Sequence, residues 1–483
     1  MTAPVQGPAS SNDLRKGALG VGFIVFFVIS AAGPLAAVAG GMPIGFMLGN
    51  GAGLPSLLLI VIAILLVFSA GYTAMARHVT HAGGFYALIA RGFGGQTGAA
   101  GAALAILGYN AMQVGLYGLH GVATAGFVKQ VSGIDLPWWV WAYSAMVTIA
   151  IFGYRRIDLS AKLLGLLVIG EYAVVLLLDL FILRSGGDAG PTMVPFTASA
   201  LTSGAPAIGM LFCFAYFVGF EATTIYGEEA RTPERTIPLA TYLSVLLIGG
   251  FYAFSSWCMV VGAGAGALVD TIAALPDPTL FTFSLAERYA GPWLSLAMGA
   301  LLVSSVYAGL LAFHNAAARC FYSIGRDGLL PDILGRTHTV HNSPHAGSLL
   351  QTGIAFVVMT AFVIAGSDPL LTLFSWLTNL ATLCVIALMA LTSFAVVRFF
   401  QARPELKQGV LGALLLPATS GLLLSAVLVL AVLRFDVLTG ESGPLSWALP
   451  ALLPAAGLAG ILRAAALRRR SPERHARLGL GRA

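Results

Sequence analysis

The stretch ISAAGPLAAVAGGMP (29–43) places a glycine and a proline in the middle of an apolar run long enough to form a membrane helix. Proline removes a helical hydrogen bond and its ring clashes with the preceding turn, so Gly33 and Pro34 predict a break in the helix. At membrane depth, such a break is tolerated only where the backbone is buried in protein or faces a cavity. The stretch therefore indicates an interrupted helix beside a cavity.

A second apolar run, FAYFVGFE (214–221), contains Gly219 just before the charged Glu221. Because glycine and proline are common in membrane helices, either break alone is ambiguous. The two interrupted runs are five apolar runs apart along the chain. That separation is typical of transporters built from two inverted repeats, in which substrate binds between a discontinuous helix of each repeat.

Composition indicates a membrane protein, because 58% of residues are hydrophobic and the mean hydropathy is +0.87, well above soluble domains. Crossing a hydrocarbon core of about 30 Å takes about 20 helical residues. The alternating pattern of a membrane β-barrel is absent, which leaves helices. We predict an all-α polytopic fold with twelve spans at 17–42, 54–76, 97–127, 137–154, 158–183, 203–227, 237–263, 292–321, 347–366, 370–398, 409–433 and 445–466.

Basic residues predict the orientation of these spans. Most of them fall in loops on the side of the two termini, whereas the opposite side has only Lys129, Arg184, Arg288 and Arg434. Because positive residues stay cytoplasmic, we expect a multi-pass cell-membrane protein with both termini inside. The net charge of +6 then reflects topology and contact with the anionic lipid bilayer, and no nucleic-acid partner is expected.

The spacing of the two breaks predicts a pair of five-span inverted repeats followed by two further spans. Cysteines occur singly within predicted spans, and no CxxC, HExxH or GxSxG motif is present, so we expect no metal site, no cofactor and no catalytic site. The basic tail is expected to be solvated and mobile. The segments are the cytoplasmic tail 1–16, the repeats 17–183 and 203–398, the peripheral spans 409–466 and the basic tail 467–483.

The chemistry of two facing helix breaks suits a zwitterion. Free N–H groups and the positive end of the dipole at the half-helix that opens near Pro34 can hold a carboxylate, and freed carbonyls can hold an ammonium. We predict that Ala31, Ala32 and Gly33 bind the carboxylate. The carbonyls of Phe214, Ala215 and Tyr216 are predicted to bind the amine.

Three longer motifs resemble the amino acid/polyamine/organocation superfamily of permeases. They are GFEATTIYGEEARTPERTIPLAT (219–241), HAGGFYALIARGFGG (81–95) and NAAARCFYSIGRDGLLPDILGRTHTVHNSPHAG (315–347). The resemblance covers roughly the whole chain in order and implies a LeuT-like core of ten spans plus two peripheral ones. It also implies uptake or exchange of amino acids or amines, with charged pairs in the turn after Glu221 closing the inner gate.

Two charged residues in the spans have alternative interpretations. Glu221 could be a carboxylate favoured by the dipole at a helix start, or a residue of proton-linked gating. Lys162 lies only about 9 Å inside its span, so its side chain could reach water by snorkelling. The resemblance instead implies that its ammonium replaces the sodium ion of sodium-coupled relatives, which makes Lys162 a coupling candidate.

Glu171 lies deeper in the same span and is the third candidate for coupling or gating. Nine residues separate it from Lys162, so the two side chains point to opposite faces of one helix. Glu171 therefore needs a proton or another partner, and His120 is a possible neighbour.

The predicted function is secondary transport of an amino acid or related amine, coupled to the proton and independent of sodium. An exchanger remains an alternative, as does a sodium-coupled carrier in which Ser304 and Ser305 supply hydroxyl ligands. A membrane-embedded enzyme using Glu171, His120 or His314 is the competing class, but it lacks a recognisable catalytic motif.

Overall fold

The computed structural model describes residues 20–79, 84–155, 161–188, 190–221, 223, 230–339, 341, 343–406, 409–440 and 443–479. For Phe27, Ser30, Ala31, residues 161–164 and Leu445, it describes the backbone and not the side chain. Within these ranges the chain forms helices joined by turns and contains no β-strand.

The thirteen main helices are α1 Val21–Ala32, α2 Ala36–Leu48, α3 Leu54–Ala76, α4 Gly95–Ser132, α5 Trp138–Arg155, α6 Ala161–Ser185, α7 Pro206–Ala215, α8 Pro233–Ala263, α9 Pro292–Arg326, α10 His345–Ile364, α11 Pro369–Gln401, α12 Leu411–Leu433 and α13 Pro444–Arg470. Shorter helices in the connections are Phe85–Phe93, Ala198–Leu201, Leu268–Ala273, Leu280–Tyr289, Phe435–Thr439 and Pro472–Ala476.

Nine of the described helices are long and apolar enough to cross a membrane. They coincide with predicted spans two, three, five and seven to twelve. The remaining three predicted spans fall on the interrupted pair α1 and α2, on α5, and on α7 with the turn that follows it. The all-helical polytopic fold is therefore confirmed, whereas the count of twelve spans stays a prediction.

The break expected in the first span is present. Helix α1 ends at Ala32, and Gly33 adopts φ 55° and ψ 70°, a left-handed conformation that glycine tolerates best because it has no Cβ. Pro34 follows, and α2 opens with a stretch of π-helix at Ala36–Gly41. The chain thus changes its hydrogen-bonding pattern at the position where the sequence combines glycine with proline.

The sixth span is also interrupted. Helix α7 ends at Ala215, and residues 216–221 form a turn in which Gly219 has a φ of 110°. The turn brings Tyr216 against α2, where a Cβ added to Gly41 would lie 2.7 Å from the tyrosine Cε1. Only glycine permits this close approach, so the two broken helices pack directly on each other.

Helix α4 forms the centre of the bundle, packing against α5, α9, α11 and α13. A buried polar network joins it to its neighbours. Gln113 Nε2 lies 3.2 Å from His314 Nδ1, and His314 Nε2 lies 2.8 Å from Ser348 Oγ. The amide of Gln351 donates to Gln113 Oε1. Because buried polar groups require partners, this network ties α4 to α9 and α10.

The C-terminal segment corrects one expectation. Helix α13 continues to Arg470, past the predicted end at residue 466. Beyond it, Arg474 lies 3.3 Å from Asp332 and Leu478 is buried. Through residue 479 the tail therefore packs on the bundle, because the apolar Leu478 is buried although most of the segment is basic.

Two of the motifs that carry the family resemblance meet at one end of the bundle. The hydroxyl of Tyr86, in the short helix before α4, donates to Asp327 Oδ2 at 2.7 Å, just after α9. Burial and the adjacent Asp327 carboxylate raise the pKa of the Tyr86 phenol far above its usual value. Tyr86 is therefore a neutral donor at any physiological pH.

The predicted orientation can be tested by cysteine labelling. Ala274 is exposed between α8 and α9, on the predicted external side. We expect Ala274→Cys to react with a membrane-impermeant maleimide on intact cells.

The matched control is Ala402→Cys, which is exposed between α11 and α12 and should react only after permeabilisation. The parent chain supplies the background, since three of its four cysteines are buried and Cys320 is partly buried. The opposite pattern of labelling would reverse the topology.

Candidate functional site

A cavity of about 70 Å³ lies between the two broken helices. Its wall is formed by the α1–α2 break, α2, α4, α7 and the turn after it, α9 and α11. The lining residues are Ala32, Gly33, Ala36, Ala37, Gly41, Met112, Leu116, Leu119, Phe212, Ala215, Tyr216, Val218, Ser305, Val306, Gly309, Phe313, Phe374 and Thr378.

Four of the six predicted substrate-binding residues line this cavity, namely Ala32, Gly33, Ala215 and Tyr216. Phe214 is buried in the core and does not line it. Ala31 belongs to the last turn of α1, and its side chain lies outside the described part of the chain. The structure therefore brings the two predicted helix breaks together, with binding by these residues still a prediction.

Glu171 of α6 links three helical segments beside the cavity. Its Oε2 accepts hydrogen bonds from the Leu35 backbone N–H at 3.1 Å and from the Ser305 hydroxyl at 2.7 Å. Leu35 opens the second half of the broken first span, where free N–H groups and the helix dipole favour an anion. The position at which the sequence predicts an anion is thus occupied by a carboxylate of the protein itself.

His120, Ser304 and Ser305 make their described hydrogen bonds within the protein. His120 does not contact Glu171: its Nε2 lies 3.3 Å from Thr124 Oγ1, and its ring packs on Tyr307. Ser304 donates back to the Leu301 carbonyl, while Ser305 is bound to Glu171. The expected His120 partner was wrong because the side chain pairs within its own helix, one turn away.

Lys162 lies in the first turn of α6. Its side chain is outside the described residues, as are Glu228 and Glu229 of the charged turn. The gating and coupling roles suggested for these positions stay predictions. Arg231, Glu234 and Arg235 of the same turn are exposed around the start of α8.

Tyr252 of α8 was not identified from the sequence, although it makes a hydrogen bond to the backbone at the first break. Its hydroxyl donates to the Ala32 carbonyl at 3.3 Å, one of the carbonyls that the interruption of α1 leaves without a helical partner. Its ring also contacts Tyr216, with centroids 5.8 Å apart. A tyrosine 220 residues away in sequence gives no local signal that could reveal such a contact.

The Glu221 carboxylate accepts hydrogen bonds at the second break. Its Oε2 accepts the Gly219 N–H at 2.8 Å, and its Oε1 accepts the Tyr109 hydroxyl at 3.2 Å. The hydroxyl of Tyr72 donates to the Glu221 carbonyl at 2.9 Å. Because Tyr72 lies near the C-terminal end of α3, this cluster lies toward the predicted cytoplasmic end of that helix.

The described residues contain no group of three or more histidine, cysteine or acidic side chains that could hold a metal ion. The wall of the cavity is mostly apolar, and its polar groups are backbone atoms of the breaks and a few hydroxyls. Together, fold and cavity define a polytopic helical membrane protein with a cavity between two discontinuous helices.

The family of the chain follows from comparison with known proteins. The amino acid permease family model matches residues 19–453, which is most of the chain, and the chain belongs to this family. The family lies within the superfamily whose motifs the sequence resembles.

Two curated relatives are transporters. The human cationic amino acid transporter 4 is 29% identical over 201 residues, which cover 42% of this chain and 29% of that protein. The low-affinity putrescine importer PlaP of Escherichia coli K12 is 25% identical over 236 residues, which cover 47% of this chain and 50% of the importer. The chain spans half or less of the length of these relatives.

A solved structure supports the fold over nearly the whole chain. A mutant of the Eremococcus coleocola manganese transporter superposes with a TM-score of 0.55 at 13% identity, covering 97% of this chain and 98% of that one. At this identity the similarity concerns the fold alone. It agrees with a LeuT-like bundle.

The left-handed conformation of Gly33 predicts the effect of a single methyl group. Gly33→Ala should lower stability by about 1–2 kcal/mol, because an L-residue pays that amount in the left-handed region. The added Cβ would otherwise meet only ordinary neighbours, at 3.4 Å from Ala36 Cβ and 3.5 Å from Ser305 Oγ.

Thermal unfolding in detergent measures this effect. Gly250→Ala in α8 is the control, since its Cβ would have no neighbour within 4 Å and alanine favours helix. Equal midpoints for Gly33→Ala and the parent would contradict the geometry of the break.

Proposed function

We propose that this protein is a secondary active transporter for an amino acid or related amine, working by alternating access around the two broken helices. The observation that carries the proposal is the cavity enclosed by both breaks. Family membership and the names of the two relatives support it. We place the protein in the cell membrane with both termini cytoplasmic, and we assign residues 17–183 and 203–398 to two inverted repeats.

Counterflow in proteoliposomes tests the transport itself. Vesicles loaded with an unlabelled amino acid mixture should accumulate a labelled amino acid transiently above its external concentration. A channel cannot do this, and an enzyme would alter the label chemically. Absence of accumulation by correctly folded protein, across the common amino acids and diamines, would refute the proposal.

The substrate amine has one favourable backbone acceptor. The carbonyls of Phe214 and Ala215 already accept the N–H groups of Phe217 and Val218, at 3.0 and 3.2 Å. No described backbone N–H donates to the carbonyl of Tyr216, which lies in the turn beside the cavity. We therefore assign the amine to this carbonyl and the carboxylate to the break at Ala31, Ala32 and Gly33.

Proton coupling is assigned to Glu171. An ionised carboxylate accepts both the Leu35 N–H and the Ser305 hydroxyl, and such charge-assisted bonds are stronger than neutral ones. Protonation turns one oxygen into a donor and removes the charge, which weakens the link between α6, α9 and the start of α2. The proton would thereby release the broken first span to move.

Glu171→Gln tests this assignment. The amide keeps the shape of the side chain but cannot exchange a proton, so uptake should lose its stimulation by an inward proton gradient while counterflow persists. Uptake into proteoliposomes with and without an imposed gradient measures the difference.

The matched control is Asp179→Asn on the same helix. Asp179 is also buried, but it accepts the Ser255 hydroxyl of α8 at 2.6 Å, and no described hydrogen bond joins it to either helix break. This variant should retain gradient-stimulated uptake. Stimulation that survives in Glu171→Gln would exclude Glu171 as the coupling group.

Lys162 is the second coupling candidate. Its ammonium would disfavour a sodium ion nearby through charge repulsion, so we expect transport that does not require sodium. Lys162→Ala should lose net uptake, and Lys162→Arg should fail as well because a guanidinium hardly deprotonates. Unchanged uptake in Lys162→Ala, or a sodium requirement at fixed pH, would show that the side chain only snorkels.

A further inference from the structure

Among the residues that the structure describes, no side chain lining the cavity is charged, although the two curated relatives are named for a cationic amino acid and a diamine. We propose that the cavity selects a small neutral amino acid and rejects lysine, arginine and diamines. This inference rests on the proposed function and narrows its substrate. It concerns the side chain of the substrate, whereas the backbone groups of the breaks bind the part that all amino acids share.

The hydroxyls on the wall offer little to a second ammonium. Ser305 donates to Glu171, and Thr378 donates to the Phe374 carbonyl of its own helix at 2.7 Å. The Tyr216 hydroxyl lies toward α2, where a Cβ on Gly45 would approach it to 2.8 Å. A buried ammonium requires a paired anion as well as hydrogen bonds, and neutral hydroxyl oxygens cannot supply the charge.

The nearby carboxylates do not provide that anion. Glu171 is hydrogen-bonded to Ser305 and Leu35, because its Oε2 accepts both the Ser305 hydroxyl and the Leu35 N–H. Glu221 is bound to Gly219 and Tyr109. Neither acid lines the cavity. A cationic side chain would therefore lose its hydration without gaining an ion pair.

The size of the cavity limits the substrate further. A single water needs at least roughly 10–15 Å³, so a cavity of about 70 Å³ has room for a small molecule. Met112 and Leu116 of α4, Phe313 of α9 and Phe374 of α11 bound the part of the wall away from the two breaks.

Gly309 of α9 is the residue that sets the available width. It lines the cavity, and a Cβ added there would meet only Leu116 Cδ1, at an ordinary 3.7 Å. An alanine at this position should therefore fold normally and take up space that a substrate methyl group would otherwise fill.

The test measures inhibition of labelled alanine counterflow by unlabelled alanine, glycine, lysine and putrescine in proteoliposomes. We expect lysine and putrescine to inhibit at least about 100-fold more weakly than alanine. Inhibition by either within tenfold of alanine would overturn the inference and leave the proposed transporter function standing. If no amino acid or diamine is transported, the proposed function fails and this inference fails with it.

The variant Gly309→Ala tests the geometry independently of charge. It should shift the preference from alanine toward glycine by at least about tenfold, because the new methyl group occupies the space of the substrate's own. Gly353→Ala is the matched control, since it lies in α10 away from the cavity with no atom within 4 Å of its added Cβ. An unchanged ratio of alanine to glycine in folded Gly309→Ala would overturn the assignment of this wall to the substrate side chain.

Discussion

A backbone N–H or carbonyl left without a partner at membrane depth is costly, and both helix breaks satisfy this constraint in the same way. In the first break, Glu171 accepts the Leu35 N–H and Tyr252 donates to the Ala32 carbonyl. In the second, the partners are Glu221 for the Gly219 N–H and Tyr72 for the Glu221 carbonyl. Each interruption is thus stabilised by one acid and one tyrosine.

Three of these four partners come from helices that are not themselves broken, whereas Glu221 lies in the turn of the second break, and this has a mechanical consequence. Glu171 lies on α6, and Tyr72 and Tyr252 lie on α3 and α8. The polar network of Gln113, His314 and Ser348 separately ties α4 to α9 and α10. Movement of the broken helices must therefore exchange hydrogen bonds made by an acid, while the network on α4 can remain intact. A group that changes charge is suited to control that exchange.

Local chemistry explains what could be predicted from the sequence. The Gly33–Pro34 break follows from backbone preferences within two residues. The partners of Glu171 could not be predicted, because Leu35 and Ser305 lie 136 and 134 residues away and any polar group was a candidate. His120 was an error of this kind. Phe214 is buried rather than lining the cavity because α7 continues to Ala215, and the helix places Phe214 on a different face from the lining residues Phe212 and Ala215.

Family membership and substrate choice are carried by different parts of the molecule. The motifs that define the family lie at the breaks and in the loops near the ends of the bundle, where backbone atoms would bind the carboxylate and amine common to all amino acids. The remaining wall is supplied by side chains of α4, α9 and α11, such as Met112, Gly309 and Phe374. A related protein can share the backbone atoms of the breaks and differ in the side chains of the wall. A single acidic side chain on this wall would favour a cationic substrate over a neutral one. The physical chemistry of the wall is therefore a better guide to the substrate than the name of a relative that is 25–29% identical.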